Sequence, residues 1–541
     1  LSLLSKKYLT IDHFLGDRMG DFQVATSGGF WVAAGECHLF HDEPQRCVEL
    51  LETMHASFDE YMSTNAPDTI ETLNQVGYTG FRWAAQIEPF WNAYYLACVI
   101  RLADEIEAVR LAEEVQAVFS YRFLWQKDMG KLFKDSTWRD YKARCMRLSS
   151  EHPFVVVTDI ADFYPRIYHH RIDVALSRLP SAGDIRARIM KMLSAFSRIH
   201  VSYGLPIGGP ASRILAELAL AGVDQHLKTR QMVFCRYADD FCIFCSDRSS
   251  AYKALVFLSE RLFNEGLVLN KKKTRILTAD EYRETSRAFM PTDKGDEASD
   301  EKKLLNISLR FDPYSPTAEE DYDALKAAVG EVDIVGILGR EVAKAAIDPT
   351  VSKQAINAIK ALAPPLQGGA IRTILDARNL TVLSPVFVTI LRLVRSVYAS
   401  LRDKDKDFVD EALMQLHKQE SPLLSVELNL SYCIQVLGQR RSGPKEELLV
   451  RLFETHQKPL LRRLILLILA DWECHYWLSD LKRQYSAFSV WEKRAFILAS
   501  YVLGDEGEHW RRHARRSWTP MDGLVRDWFS IRYPSNKRMP I

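Results

Sequence analysis

The sequence predicts an α+β core set behind a helical N-terminal region and followed by an all-α second half. Three observations carry this. Phe154-Val155-Val156-Val157 is a β-branched run that stops at acidic residues, the pattern of a buried strand. Residues 232–244 are strand-rich and broken only by Ala238-Asp239-Asp240, which reads as the turn of a hairpin. Beyond about Ala318 the pattern is almost wholly helical.

At 541 residues the chain has room for about three or four domain-sized units. The expected division is a helical region over 1–120, an α+β domain over 121–290, a linker over 291–317 and a helical domain over 318–541. In the first part, residues 43–62 place Val48, Leu51, Met54, Phe58 and Tyr61 at helical spacing, with Asp42 the expected N-cap and Pro44 at the first turn. Residues 83–119 form a second helical pattern, broken near Pro89. In the middle, residues 252–264 read as a helix and Leu267-Val268-Leu269 as a short strand. The polar stretch 291–303 reads as an exposed loop. In the last part, Pro385, Pro422 and Pro459 recur at equal intervals of 37 residues, each opening a helix that a second helix follows. Two-helix units of nearly that length predict a HEAT-like solenoid, with an irregular helical bundle as the alternative.

Composition sets limits. With 47% apolar and 26% charged residues, disordered, fibrous and disulfide-scaffold classes are excluded. Lys+Arg 71 against Asp+Glu 70 leaves a net charge of +1, so any nucleic-acid footprint must be local. The nine cysteines are scattered. Cys242 and Cys245, three apart in a strand, point to opposite faces and read as core thiols rather than a metal pair. Cys37, His38 and His41 lack a second half and read as structural. No signal-peptide pattern opens the chain, and its longest strongly apolar run, 464–470, is far short of the ~20 residues that span a bilayer. A cytoplasmic protein without a membrane partner is the expectation.

Chemistry concentrates in two acidic sites. Asp159-Ile160-Ala161-Asp162 follows the first strand, and Asp239-Asp240 occupies the hairpin turn. Carboxylates at strand ends among apolar residues are costly unless a cation pairs with them. If the strands are neighbours, Asp159, Asp239 and Asp240 converge as hard oxygen ligands, which suit Mg²⁺, with Mn²⁺ as an alternate. Two such ions roughly 3.5–4 Å apart can activate an attacking hydroxyl and stabilise a leaving pyrophosphate. A lone Asp-Asp pair is usually only a turn. Here a Gly-Leu-Pro turn lies between the sites, and a basic Asn270-Lys271-Lys272-Lys273-Thr274 segment follows them.

Read together, Asp159–His169 (DIADFYPRIYH), Gly204–Ser212 (GLPIGGPAS), Tyr237–Asp240 (YADD) and 266–274 (GLVLNKKKT) resemble four successive motifs of reverse transcriptases. The resemblance spans about residues 154–277 and implies a palm and fingers fold, with the fingers reaching into the helical N-terminal region. It implies that Asp159 and Asp239 are the principal metal ligands, with Asp240 close by and the Ile160 backbone carbonyl completing the metal site. It further implies that Phe163 blocks a 2′-hydroxyl, that Gly208 lets backbone approach the nascent base pair, and that Lys273 lies near the leaving pyrophosphate. An exposed strand-end lysine is the other reading of Lys273. Arg122, Lys127 and Lys131 are candidates for nucleotide phosphates. The turn departs from the family's usual Leu-Pro-Gln-Gly, with Ile207 in place of glutamine.

Together with the helical second half and the wording of residues 121–138, the motifs are similar to those of bacterial abortive-infection and other defence-associated reverse transcriptases. That resemblance implies phage defence, deoxynucleotide substrates and a single-stranded DNA product. It implies either protein-primed synthesis without template, with Tyr8 a guess for the priming hydroxyl, or copying of a partner non-coding RNA. It also implies a homo-oligomer. A polymerase-like scaffold that senses phage nucleic acid or protein is the alternative of a different class. The helical half is either an oligomerisation scaffold or a channel wall. For the second role Arg511, Arg512, Arg515 and Arg516, interleaved with Trp510 and Trp518, form the expected nucleic-acid surface.

Overall fold

The computed structural model describes residues 36–126, 131–134, 138–196, 202–287, 300–307 and 325–541. They divide into two compact units. Of the described residues, one unit comprises those within 44–69 and 85–287, the other those within 36–43, 70–84 and 300–541.

The first unit is built on a four-stranded antiparallel sheet of order β6-β7-β5-β8. Its strands are β5 (Phe154–Asp159), β6 (Val233–Tyr237), β7 (Asp240–Cys245) and β8 (Arg275–Thr278). The β-branched run becomes the central strand, with Val155 and Val156 wholly buried. Directly opposed residues of antiparallel strands share a face. Val155↔Phe244, Val157↔Cys242 and Asp159↔Asp240 therefore line one face, and Val156↔Ile243 and Thr158↔Phe241 the other. The first face is covered by α5 (Trp138–Glu151) and α11 (Ala279–Arg287), whose Tyr141, Cys145, Leu148 and Tyr282 form a core with Val155, Cys235, Cys242 and Phe244. The expected thiol environment is observed: Cys242 and Cys245 are both free and buried.

Helix α10 (Arg248–Asn264) packs on β5 and β7, and Asp247 caps it in a reciprocal capping box with Ser250. Helix α4 (Pro89–Val109) starts where Glu88 accepts the Trp91 N–H, with Pro89 at its first turn. Against it pack α8 (Gly183–Phe196) and α9 (Pro210–Thr229), and α7 (His169–Ser177) joins both. The short β3 (Phe123–Gln126) and β4 (Lys131–Phe133) form a separate hairpin.

Several local expectations are corrected. The helix expected over 43–62 is two, α2 (Pro44–Ala56) and α3 (Phe58–Thr64), broken at Ser57. Asp42 is not an N-cap: it ends α1 (Glu36–Asp42), and its carboxylate accepts from Trp528 Nε1 (2.7 Å) and Arg532 Nη1 (2.6 Å). The helical pattern from 83 is partly strand. A hairpin of β1 (Thr69–Val76) and β2 (Gly80–Ile87) precedes α4, because Pro89 fits a helix's first turn but not its middle. Residues 267–269 contribute only an isolated bridge, Ile160↔Leu269, and the fourth strand is β8 instead. Of the expected loop 291–303, residues 291–299 lie outside the described residues, and Asp300–Asn306 is helix α12.

In the second unit all described residues beyond 325 are helix, 3₁₀ turn or connection. Pro385 and Pro422 open 3₁₀ turns, each followed by a helix, α17 (Phe387–Val397) and α19 (Glu427–Leu437), whereas Pro459 starts α21 (Pro459–Asp471) directly. Helices α17, α19, α21, α23 (Val490–Ala499) and α25 (Pro520–Asn536) each pack on the next in that series. Between them run α18 (Asp403–Lys418), α20 (Gly443–Thr455), α22 (His475–Leu481) and α24 (Gly504–Ala514). Helix α21 is buried from Leu460 to Ala470, as expected of a helix enclosed by neighbours. Among the described residues no helix is long and apolar enough to cross a membrane.

Candidate active site

The pairing of β5 with β7 brings the two acidic motifs together. Asp159, the last residue of β5, is opposite Asp240, the first of β7. Asp239 lies in the turn, and its carbonyl accepts the Ile160 N–H (3.1 Å). The third partner is the segment after α10. Asn270 N–H donates to the Asp159 carbonyl (2.8 Å), and Ala161 N–H to that of Val268 (2.8 Å). The hydroxyls of Thr158 and Thr274 meet at 2.7 Å. Lys273 is thereby delivered to the carboxylates, with its Nζ 2.6 Å from Asp159 Oδ2. The lysine remains 60% exposed while Asp159 is 7% exposed. Lys273 is thus open to solvent on one side and held by a buried carboxylate on the other.

The electrostatics fit a cation site. Burial, then the neighbouring Asp239, pushes the Asp240 carboxyl up to about 6; Asp159 adds to the rise, while Lys273 and Lys142 oppose it. Asp159 Oδ1 is buried without a hydrogen-bond partner. A hard divalent ion would relieve both conditions. Among the described residues no three His, Cys, Asp or Glu side chains are gathered around one point. The carboxylates share a sheet edge without closing a cage, so an ion here needs water, backbone or phosphate oxygens as well. That is the habit of Mg²⁺. The donor set fits such an ion, which Asp159, Asp239 and Asp240 would hold only in part.

The remaining motif pieces assemble beside this edge. Phe163, 4% exposed, begins the short helix α6 (Phe163–Arg166) and packs against Tyr164 (ring centroids 5.3 Å). The Gly204–Gly209 turn is tied to the same segment: Gly204 N–H donates to the Ile167 carbonyl (2.8 Å) and Leu205 N–H to that of Tyr164 (2.9 Å). Gly208 has φ +122°, outside the range a side chain tolerates, so glycine is required there on backbone grounds. Asp162, by contrast, is exposed and pairs only loosely with Arg166 (3.7 Å).

Expectations about basic residues change at Arg122 and Arg511. Arg122 is buried inside the unit, where each of its guanidinium nitrogens donates: to Glu107 Oε1 (2.7 Å) and to the carbonyls of Val118 (3.1 Å) and Leu111 (2.8 Å). Lys127 and Tyr8 lie outside the described residues. In the second unit Trp510 and Trp518 are half-buried. Trp510 packs edge-on against Tyr485 and Phe496 (both 4.9 Å) and lies 6.3 Å from Trp518. Arg511 lies over the Tyr501 ring (3.7 Å) and donates to Ser500 Oγ (3.1 Å). Arg512, Arg515 and Arg516 remain exposed.

Sequence reasoning missed Lys142 and the aromatic wall beside the carboxylates. On α5, Lys142 Nζ lies 4.8 Å from the Trp138 ring centroid, and Trp138 in turn packs at a right angle to Tyr237 (5.3 Å). The i, i+4 spacing of Trp138 and Lys142 was the available signal. Tyr121 completes the wall against Tyr237 (6.1 Å), with Arg213 5.1 Å from its own ring centroid.

Two carboxylates paired across strands, a third in the turn and a lysine thus lie together at this sheet edge. Residues 98–309 match the family described as reverse transcriptase (RNA-dependent DNA polymerase). This segment is similar to a reverse-transcriptase domain. The carboxylate edge, the Gly204–Gly209 turn and Lys273 all fall inside it. Over 127 residues the chain is 27% identical to the retron Ec86 reverse transcriptase of Escherichia coli, covering 23% of this chain and 38% of the relative. The chain thus spans well under half the length of that curated relative. Among solved structures, telomerase from Candida albicans with a fragment of telomeric RNA superposes with TM-score 0.31 at 11% identity, over 75% of this chain and 67% of that one. Apo telomerase from Candida tropicalis gives TM-score 0.30 at 11% identity, over 75% and 71%.

Proposed function

We propose that the chain is a DNA polymerase of the reverse-transcriptase type acting in antiphage defence, and that Asp159, Asp239 and Asp240 serve nucleotidyl transfer. The observation that carries this reading is the register pair Asp159↔Asp240 with Lys273 held on Asp159, inside a segment similar to a reverse-transcriptase domain. Divalent ions, when bound, would lower the pKa of the attacking hydroxyl and neutralise charge on the phosphates. Asp159 and Asp239 hold that charge at a fixed strand end. Asp240, largely protonated below about pH 6, ionises to complete the acidic edge. Lys273 is placed to exchange Asp159 for a phosphate oxygen. Phe163 sets sugar selection by bulk, and Gly208 leaves room for a base pair. The stacked helices of the second unit are read as a HEAT-like scaffold for assembling copies in the bacterial cytoplasm.

Two template modes remain within this reading. Untemplated, protein-primed synthesis is favoured by Ile207 in the Gly204–Gly209 turn. Copying of a bound non-coding RNA is favoured by the similarity to a retron reverse transcriptase. The experiment that separates them uses purified protein with Mg²⁺ and labelled deoxynucleotides, without added template or primer. Product that forms after RNase pretreatment and shifts on proteolysis supports protein priming. Product lost after RNase pretreatment supports a bound RNA. Absence of incorporation under all conditions contradicts the polymerase reading and favours a sensing scaffold.

A further inference from the structure

The turn that carries Asp239 is held from beneath by a residue with no place in the reaction as described. Arg236 is wholly buried on β6, on the sheet face opposite the carboxylates. Each of its guanidinium N–H groups has a partner. Nε donates to Asp224 Oδ1 (2.9 Å). Nη2 donates to Asp224 Oδ2 (2.5 Å) and Glu217 Oε2 (2.9 Å). Nη1 donates to Glu217 Oε1 (3.2 Å) and to the backbone carbonyl of Ala238 (2.8 Å).

That last bond reaches the turn itself. Ala238 has φ +53°, the left-handed region that an alanine Cβ disfavours. The next carbonyl, that of Asp239, accepts from Ile160 N–H (3.1 Å). Two successive carbonyls of the turn are therefore fixed, one by a side chain of β6 and one by the end of β5. Glu217 and Asp224 sit seven residues apart on α9, hence on one face of it. Glu217 is anchored in its turn by Arg110 Nη2 (2.7 Å) and Ser120 Oγ (2.5 Å). The Arg236 main chain is held as well: its N–H donates to the Ala117 carbonyl (2.7 Å), and its carbonyl accepts from Phe119 N–H (3.0 Å). A guanidinium locked on both carboxylates and on backbone has no freedom to move independently of the turn.

We infer that Arg236 is a positioning residue: through its bond to the Ala238 carbonyl it sets the orientation of the Ala238–Asp239 peptide, and so where the Asp239 carboxylate stands relative to Asp159 when a divalent ion binds. The inference rests on the proposed metal role of Asp239. Lysine at this position keeps the charge and most of the volume, but its single ammonium cannot engage both carboxylates in forked pairs and the Ala238 carbonyl together.

The test is Mn²⁺ binding to the full chain, followed by electron paramagnetic resonance, for wild type, Arg236→Lys and Asp239→Asn, with thermal unfolding recorded alongside. Asp239→Asn is expected to abolish the tight site. Arg236→Lys is expected to weaken Mn²⁺ binding at least fivefold at a temperature where it is fully folded. In nucleotide incorporation its kcat is expected to fall at least tenfold, with KM for nucleotide within threefold of wild type. Wild-type Mn²⁺ affinity in folded Arg236→Lys, with only a lower melting temperature, overturns the inference. Should Arg236→Lys not fold, Asp224→Asn removes part of the fork, and a rise of at least twofold in the Mn²⁺ dissociation constant is expected; an unchanged constant overturns it equally. If wild type binds Mn²⁺ yet adds no nucleotide, the polymerase reading fails while the affinity ratio still decides the role of Arg236. Wild type that binds no Mn²⁺ overturns both.

Discussion

Asp159 faces Asp240 across the antiparallel pairing of β5 and β7, so two carboxylates share one face at the end of the sheet. Cross-strand partners stand about 4.5–5.5 Å apart at Cβ. Like charges at that separation repel unless a cation lies between or beside them. The fold meets part of this demand with Lys273, 2.6 Å from Asp159, and leaves Asp240 to respond by holding its proton.

The first consequence is a stability that depends on pH. In the fold the Asp240 carboxyl is raised from its ordinary 3.8 to about 6. The folded state therefore binds this proton more tightly than the unfolded chain. The stability it contributes is present below pH 4 and is lost as pH rises to about 6. In metal-free protein, Asp240→Asn removes that penalty. It should stabilise the sheet on the order of 2 kcal/mol at pH 8, less at pH 5 and negligibly below pH 4. Urea unfolding at the three pH values, in the presence of a chelator, measures this.

Lys273 separates activity from stability. Its pair with Asp159 is largely exposed on the lysine side, and such pairs contribute about 0–1 kcal/mol. Lys273→Met should leave the unfolding midpoint almost unchanged while slowing nucleotide incorporation roughly a hundredfold, the usual effect of losing one charge-stabilising donor. Steady-state incorporation and urea unfolding of the same preparation check both halves.

The turn before α9 makes a backbone prediction. Gly208 has φ +122°, and a residue forced into such a region costs roughly 1–3 kcal/mol. Gly208→Ala should lower the stability of the first unit by about that amount. Gly209, the N-cap of α9 with φ −81°, carries no such constraint, and Gly209→Ala should cost about 1 kcal/mol or less. Comparing the two by urea unfolding tests the backbone argument against simple crowding.

How much of this was legible in the sequence follows the same physics. The carboxylate edge was legible because chemistry-bearing residues cluster at strand ends, and an apolar β-branched run announces its strand. Strands β1, β2 and β8 were not, because their residues show neither alternation nor a β-branched run strong enough to outweigh helical spacing nearby. The deepest misreading concerns Arg122, taken as a candidate for nucleotide phosphates. It is buried among acceptors within the fold, and Arg236, of which the sequence analysis made nothing, is buried in the same way. Only the fold brings Glu107, Glu217 and Asp224 to them. Trp510 and Trp518 were misread in the opposite sense. Their alternation with arginines suggested a stacking surface, whereas Trp510 packs against Tyr485 and Phe496, and Trp518 lies beside Trp510 and Arg526.

That correction has its own test in the second unit. Arg512, Arg515 and Arg516 are exposed, while Arg511 is committed to Tyr501 and Ser500. Replacing the exposed three with alanine should leave the melting temperature unchanged. If this face contacts single-stranded nucleic acid, the same change should reduce the salt dependence of binding by about two units of log–log slope. Arg511→Ala should instead destabilise the unit by about 1–2 kcal/mol. Fluorescence anisotropy with a labelled single strand at several salt concentrations, and thermal unfolding, distinguish the two.

The most direct test of the central claim is single-turnover incorporation of a labelled deoxynucleotide by wild type, Asp159→Asn and Asp239→Asn, each with Mg²⁺ and each shown to be folded. Both substitutions should abolish incorporation to below a thousandth of the wild-type rate while the unfolding midpoint holds or rises. Incorporation by either variant at the wild-type rate would contradict the assignment of this carboxylate edge as the polymerase centre.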